Sequence, residues 1–354
     1  MIATRSAKNI FSIQILRGLA ALLVVVHHIC YDRSLGYGGT TFEKGSIGVD
    51  IFFAISGAVM FMTAPALAPS DFVRRRVIRI VPLYWLFTSL KLMVLAAGHA
   101  GARKIPLTTG YILSTFLFIP AFDGDGLVYP VIIAGWTLSF EVYFYLICTV
   151  ALTASPRHLL PICAAVIACG VLIGLFVAGP SIPIASLVLL SPITLEFIGG
   201  MLVMKLWQDG IRLPIWACVL ILLAAVVWLA ETPNPGTYAA VRVIYWGIPA
   251  LAIFGLMVSL EDRIEMVRAK PLLLLGDASY ALYLSHTAVV PIVGGVVRKI
   301  VPDTYFLASS VVLLVAIAVG IATHLLIERP MVKWLAARAG RKIPMAILPN
   351  TAGT

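Results

Sequence analysis

Arg17 and His28 are the residues of the first apolar segment whose types and spacing could do chemistry inside a membrane. They are eleven residues apart, which on an α-helix is three turns plus about 20°, so both side chains share one face about 16 Å apart along the axis. Ionisable groups in a bilayer usually face a protein interior or a wet cavity and mark function. A neutral imidazole accepts a proton near pH 7, so His28 is a candidate general base.

Two features of this helix bear on that hypothesis. His27 is turned by about 80° from Arg17 around the helix, so it is a weaker candidate than its neighbour. The alternative for the whole pair is a structural role, in which neighbouring carbonyl groups satisfy the arginine and the histidine. The residues alone leave both interpretations open.

A cluster of arginines follows the second apolar run. Arg76 and Arg79 are three residues apart, and Arg75 and Arg79 are four apart, so the three project together from a helix. Guanidinium groups bind phosphate oxygens through paired hydrogen bonds, which makes the three arginines candidates for binding a phosphate-bearing donor. The alternative is a basic cytoplasmic loop in contact with lipid headgroups.

Further ionisable residues lie in or beside other apolar runs. We predict Glu141 and His286 within spans, and we take both as candidate catalytic residues because ionisable groups are rare there. Asp50 is expected near the outer surface. The alternative to a functional role is an interfacial acid beside a packing motif of small residues. Asp277 is expected near an inner end, and Glu328 could form a local surface pair with Arg329.

The composition indicates an all-α, polytopic membrane protein. Mean hydropathy is +1.01, 61% of residues are hydrophobic and only 12% are charged. The net charge of +10 comes from basic residues between apolar runs, the pattern of cytoplasmic loops, so we expect membrane lipids and not nucleic acid as partners. Five cysteines lie in or beside apolar runs without a CxxC pair, so we expect no disulfide framework and no metal site.

The chain is predicted to cross the membrane about ten times. The runs cover residues 11–31, 47–66, 77–97, 135–153, 159–178, 184–206, 213–230, 241–260, 271–297 and 304–327. Basic residues at both ends place both termini in the cytoplasm and require an even number of crossings. The shorter run 107–122 is therefore interpreted as a re-entrant or interfacial segment on the outer side. We assign 1–333 to one integral membrane domain and 334–354 to a basic cytoplasmic tail.

Six motifs in order carry a resemblance to a known family. They are Leu16-Arg17-Gly18-Leu19 with His28, Gly48-Val49-Asp50 with Phe52-Phe53 and Ser56-Gly57, Arg75-Arg76-x-x-Arg79-Ile80-x-Pro82, Trp136-x-Leu138-Ser139-x-Glu141, Ser279-Tyr280-x-Leu282-Tyr283-Leu284-x-His286, and Glu328-Arg329-Pro330. From about residue 10 to 330 the chain resembles the membrane acyltransferase-3 family, and within it the bacterial exopolysaccharide O-acetyltransferases. It departs from the family at Ser285, where tryptophan is common.

The resemblance implies transfer of an acyl group, acetyl by preference, from cytoplasmic acyl-CoA to a sugar hydroxyl. It implies no permanently bound cofactor, a glycan or lipid-linked saccharide as acceptor, and a location in the bacterial inner membrane. By family analogy Arg17 and His28 form the essential first-helix pair, and Arg76 and Arg79 form the second arginine motif. The rival function is a transporter or flippase of lipid-linked glycan, although the chain lacks the internal repeats common in transporters.

Overall fold

The computed structural model describes residues 10–31, 42–98, 103–177, 186–267, 269–300 and 304–339. Its α-helices are α1 Phe11–Tyr31, α2 Ile47–Thr63, α3 Pro69–Ala96, α4 Thr109–Phe116, α5 Gly135–Ala154, α6 Leu159–Val177, α7 Ser186–Leu189, α8 Leu195–Gln208, α9 Ile215–Glu231, α10 Ile248–Ser259, α11 Glu261–Val267, α12 Lys270–Asp277, α13 Ser279–Ile300, α14 Tyr305–Thr323 and α15 Arg329–Arg338. Two π-helical turns, Val243–Gly247 and His324–Glu328, lead into α10 and α15. Over these residues the protein is all-helical, as the composition predicts.

Seven helical stretches of the described chain are long and apolar enough to cross a membrane. They include α1, α2, α3, α5, α6 and α13, and the continuous stretch Tyr305–Arg338. Two apolar helices of 17 residues, Ile215–Glu231 and Val243–Ser259, are shorter. The multi-pass membrane architecture is therefore confirmed, while the count of ten crossings stays a prediction.

Two of the predicted continuous spans are interrupted. The run 184–206 divides into α7, a 3₁₀ turn at Pro192–Thr194 and α8. A proline removes one backbone donor and disfavours helical geometry in the residue before it, which accounts for the break. The run 271–297 divides at Ala278 into α12 and α13, and Asp277 lies at that junction. Hydropathy averages over such breaks because the flanking residues remain apolar.

The segment 107–122 contains only the eight-residue helix α4. At 1.5 Å per residue α4 is about 12 Å long, too short to cross a hydrocarbon core of about 30 Å. The carbonyl groups at its end accept hydrogen bonds from α3, where the Tyr84 hydroxyl and the Trp85 indole bond to Thr115 and Phe116 at 3.2 and 2.9 Å. This short docked helix agrees with the predicted non-spanning segment.

Helix α1 is fixed in position by contacts along its length. A Cβ atom added to Gly276 would lie 2.0 Å from the Gln14 carbonyl oxygen, and one added to Gly48 would lie 2.3 Å from that of Ala20. Glycine at both positions therefore lets α12 and α2 approach the α1 backbone closely. The buried Glu261 carboxylate accepts hydrogen bonds of 2.8 Å from the first backbone N–H groups of α1. These contacts hold the α1 backbone against α2, α11 and α12.

The last helix continues past the predicted start of the tail. Helix α15 ends at Arg338, whose guanidinium lies 4.0 Å from the centre of the Trp334 ring. The Ala339 carbonyl accepts a hydrogen bond of 2.9 Å from Arg74, so the start of the segment 334–354 packs against α3. The remainder, 340–354, lies outside the described residues.

Candidate active site

His28 and His286 face each other between α1 and α13. Their ring centroids are 4.8 Å apart. The Nδ1 atom of His28 lies 2.8 Å from the Val24 carbonyl oxygen, and that of His286 lies 3.2 Å from the Leu282 carbonyl oxygen. A carbonyl oxygen only accepts, so each Nδ1 carries a proton and each Nε2 is the basic nitrogen of the neutral ring. His28 and His286, both predicted from the sequence as candidate catalytic residues, therefore form one pair of imidazole rings.

The two rings differ in their surroundings. His286 is 0% exposed, and its Nε2 atom has no hydrogen-bond partner among the described residues. His28 is half-buried, so its ring is more accessible than that of His286. The Tyr283 ring lies 5.8 Å from that of His286, and its hydroxyl pairs with Thr137 at 2.9 Å. This tyrosine connects the imidazole pair to α5.

Arg17 lies on the same face of α1, toward α12. Its guanidinium donates to the Gln14 side-chain oxygen at 3.2 Å, and the Gln14 amide in turn donates to Asp277. Gln14 thus links Arg17 by hydrogen bonds to Asp277 at the α12–α13 junction. The sequence prediction that Arg17 and His28 share a face agrees with these contacts, since Arg17 is linked to Asp277 through Gln14 and His28 contacts His286 of α13. They do not contact each other, because three helical turns separate them.

Arg79 pairs with a carboxylate from the other end of the chain. Its guanidinium lies 3.1 Å from Glu328, which is 1% exposed, and the second Glu328 oxygen lies 2.7 Å from Nδ1 of His324. The alternative of a Glu328–Arg329 surface pair is therefore wrong. His324 and Glu328 belong to a π-helical turn, a distortion that is frequent at functional sites.

Arg76 and Glu141 lie in a second polar cluster. The Arg76 guanidinium lies over the Phe72 and Tyr145 rings at 5.6 and 5.7 Å, and the Tyr145 hydroxyl donates to Glu141. Arg76 is 7% exposed, and its Nε and Nη2 atoms have no hydrogen-bond partner among the described residues. A buried cation whose N–H donors lack acceptors is a candidate site for an anionic ligand. Arg75 also has one such nitrogen, its Nε atom.

Asp50 forms a buried ion pair that the sequence does not indicate. Arg242 donates to its two oxygens at 2.9 and 2.7 Å, and the guanidinium stacks over Trp246 and Trp136 at 4.7 and 5.6 Å. Asp50 is 0% exposed, so it does not sit on an open surface as an interfacial acid would. Arg242 follows a polar loop, and only the three-dimensional contact reveals its role.

Four further buried or polar residues complete the site and were not singled out from the sequence: Gln14, His324, Arg242 and Glu196. Glu196 is fully buried beside Asp50, and its carboxyl oxygens have no hydrogen-bond partner of standard geometry among the described residues. Isolated ionisable residues in apolar runs were the available signal for Glu196 and His324. Gln14 could have been found from its position three residues before Arg17 on the same helix face.

Comparisons with known proteins identify the family of this chain. A family model described as an acyltransferase domain matches residues 10–324. The chain belongs to the acyltransferase-3 family. The protein is therefore a membrane-bound acyltransferase. The matched range contains nearly all of the site residues named above.

Three curated proteins are similar to this acyltransferase. The exopolysaccharide production protein ExoZ of Rhizobium meliloti is 33% identical over 315 residues, covering 83% of this chain and 92% of its own. The acyltransferase MdmB of Streptomyces mycarofaciens is 29% identical, covering 95% and 94%. The putative membrane-bound transacylase BcsY of Komagataeibacter xylinus is 32% identical, covering 37% and 34%. No solved structure matches the chain.

Proposed function

We propose that this acyltransferase moves an acyl group, acetyl by family resemblance, from acyl-CoA to a sugar hydroxyl of an exopolysaccharide. The observation that carries the proposal is the His28–His286 pair, in which both Nε2 atoms are basic. A base within hydrogen-bond reach of a hydroxyl is what acyl transfer to an alcohol requires. The similarity to ExoZ, named an exopolysaccharide production protein, supports the choice of acceptor.

In the proposed reaction, Nε2 of His28 takes the proton of the acceptor hydroxyl. The oxygen then attacks the thioester carbonyl carbon, the bond between that carbon and sulfur breaks, and the acyl group ends on the sugar. The departing thiolate takes the proton back from the imidazolium, so protons and electrons balance. His286 stays neutral in this step, so its ring does not repel the positive charge that forms on His28. We assign Glu141 and Arg17 to the route that the donor takes between the arginine cluster and this pair.

The donor phosphates are assigned to the arginine cluster at the other end of that route. Arg76 has unsatisfied donors and is the strongest phosphate ligand of the three. Arg79 already neutralises Glu328, so its proposed role is to hold the wall of the donor channel as well as to attract the phosphates. Because acyl-CoA is a cytoplasmic donor, the arginine cluster that binds it faces the cytoplasm. Both termini and Arg75 then lie on the cytoplasmic side of the inner membrane. Reaction of a cysteine introduced at position 75 with an impermeant thiol reagent added outside intact cells would contradict the orientation.

The direct experiment on function compares surface glycans from cells with and without the gene by mass spectrometry. We expect an ester-linked acyl mass that is lost with the gene and returns with a plasmid copy. Glycans of unchanged mass and unchanged amount would contradict acyl transfer. An unchanged ester content with a reduced amount of surface glycan would favour the rival transport function.

The donor role of Arg76 gives a quantitative prediction. Replacing Arg76 with alanine should raise the KM for acetyl-CoA about ten- to a hundredfold, because a hydrogen bond between charged groups contributes about 1.5–3 kcal/mol. Lysine should restore little, since it lacks the guanidinium fork. The measurement is thiol release by the purified full chain at varied donor concentration.

Arg74 offers a matched control on the same helix. It pairs with Asp71 at 2.8 Å and with the Ala339 carbonyl, away from the Tyr145 cluster. Its replacement with alanine should leave the donor KM within about twofold of the original. Equal effects of the two substitutions would show that Arg76 acts only through general charge at this surface.

A further inference from the structure

A cleft lined with aromatic rings opens beside α5, and the reaction proposed above gives it no role. It lies between α3, the segment that follows α4, the start of α5 and the loop before the first π-helical turn. Its walls include Tyr84, Phe118, Tyr129, Trp136, Ser139 and Tyr238. The volume of the cleft is about 10 Å³, room for about one water molecule or one hydroxyl group, so the rest of a larger ligand must lie across its mouth.

The rings of the cleft are held in fixed orientations. Phe118 stacks on Tyr84 at 4.8 Å, and Tyr238 meets Trp136 edge-on at 5.6 Å. The Tyr238 hydroxyl donates to the Val128 carbonyl at 2.8 Å. Phe118, Trp136 and Tyr238 are each half-buried, so part of every ring remains accessible. Such a surface suits a ligand with polarised C–H groups, which the negative face of an aromatic ring attracts.

Phe118 occupies a backbone position that glycine would fit better. Its φ is +60°, and it is the only non-glycine residue of the described chain with a positive φ. It ends α4 in a Schellman turn, with Phe118 N–H bonded to Thr115 O at 3.3 Å and Ile119 N–H to Ser114 O at 2.9 Å. Strained conformations of this kind cluster at active sites, ligand-binding sites and switch regions. Phe118 stands where glycine is usual in such a turn, and this indicates that its ring has a function of its own.

One buried hydroxyl completes the cleft. Ser139 is 9% exposed, lines the cleft, and forms no hydrogen bond with any residue that the structure describes. It lies on α5 one turn after Trp136, so the two side chains share a face. A hydroxyl that can both donate and accept is suited to a ligand that carries hydroxyl groups.

The cleft is connected to the imidazole pair by one short chain of contacts. Thr137, which follows Trp136, pairs with the Tyr283 hydroxyl at 2.9 Å, and the Tyr283 ring lies 5.8 Å from that of His286. His286 in turn faces His28. The outer wall is held by Arg103, which pairs with Asp123 at 2.8 Å. Burial tends to raise the pKa of Asp123, but the Leu127 N–H and Arg103 hold that pKa below its usual value, so the pair stays charged.

We propose that this cleft is the acceptor subsite of the acyltransferase and that it binds one sugar ring of the polysaccharide. The C–H face of the sugar lies on Phe118 and Trp136, and one of its hydroxyls bonds to Ser139. The Tyr283 and His286 rings lie between the cleft and His28, so the reacting hydroxyl belongs to another sugar of the same chain. The inference rests on the proposed function and adds the site where the acceptor is recognised.

The test measures acceptor and donor KM separately with the purified full chain. The donor is acetyl-CoA, and the acceptors are oligosaccharides obtained by partial hydrolysis of unacylated surface polysaccharide from cells lacking the gene. Phe118→Gly should raise the acceptor KM on the order of tenfold and leave the donor KM unchanged. Glycine adopts φ +60° without strain, so this variant removes the ring and keeps the turn. Ser139→Ala should raise the acceptor KM about threefold or more.

Phe116→Leu is the matched control. Phe116 lies in the same segment, but its ring packs on Trp85 at 5.8 Å and does not line the cleft. Its acceptor KM should equal that of the original protein. An original protein that acylates the oligosaccharides, with an unchanged acceptor KM in Phe118→Gly and Ser139→Ala, overturns the subsite alone. Failure of the original protein to acylate any of them overturns the proposed function and the subsite together.

Discussion

Replacing His28 with alanine is expected to lower acyl transfer by about 10²- to 10⁴-fold, the usual effect of removing a general base. The same change at His27 should have a small effect. His28 faces His286 at 4.8 Å, whereas the Nδ1 atom of His27 lies 3.0 Å from the Phe42 carbonyl oxygen. His286→Ala should also lower the rate, by a smaller factor, since its ring supports the charge on His28.

The measurement is glycan acylation in cells and thiol release in vitro, with membrane levels of each variant compared by immunoblot. His27 is the matched control, because it is the same residue type on the same turn. If His27→Ala were inactive and His28→Ala acylated normally, the helical-face assignment would be wrong. A loss in His28→Ala that followed only from a lower protein level would count against a role in the chemistry.

Removing the Asp50 carboxylate is expected to produce the largest loss of stability. Arg242 would remain as a buried cation without its partner, and breaking a buried pair in this way costs about 3–5 kcal/mol. Asp50→Ala should therefore lower the thermal unfolding midpoint in detergent and reduce the amount of protein in membranes. Activity per folded molecule should fall less, since Asp50 contacts neither histidine of the pair among the described contacts.

A double variant separates this effect from loss of packing. Asp50→Ala with Arg242→Leu removes both charges, so it should be more stable than Asp50→Ala alone. The exposed pair of Lys205 and Asp209 is the control, because breaking a surface pair changes stability little. A double variant no more stable than the single one would show that the ion pair is not what Asp50 contributes.

The sequence by itself determined the class of the protein and the faces of its helices. Long apolar runs require spans whatever the tertiary arrangement, because the bilayer excludes unpaired backbone groups. The spacing of Arg17 and His28 is a property of any α-helix, so their shared face followed from counting residues. The order of six motifs indicated the family, which the match over residues 10–324 confirms.

Only the tertiary structure decided which ionisable residues are partners. Asp50 and Arg242 are 192 residues apart, Gln14 and Asp277 are 263 apart, and Arg79 meets Glu328 from the opposite end of the chain. Local periodicity gives the face of a helix but not the helix that packs against it. The break at Ala278, where no proline interrupts the run, likewise depends on packing, since neighbouring helices must satisfy the backbone groups that a break frees. The choice of partners therefore comes from the way the helices assemble.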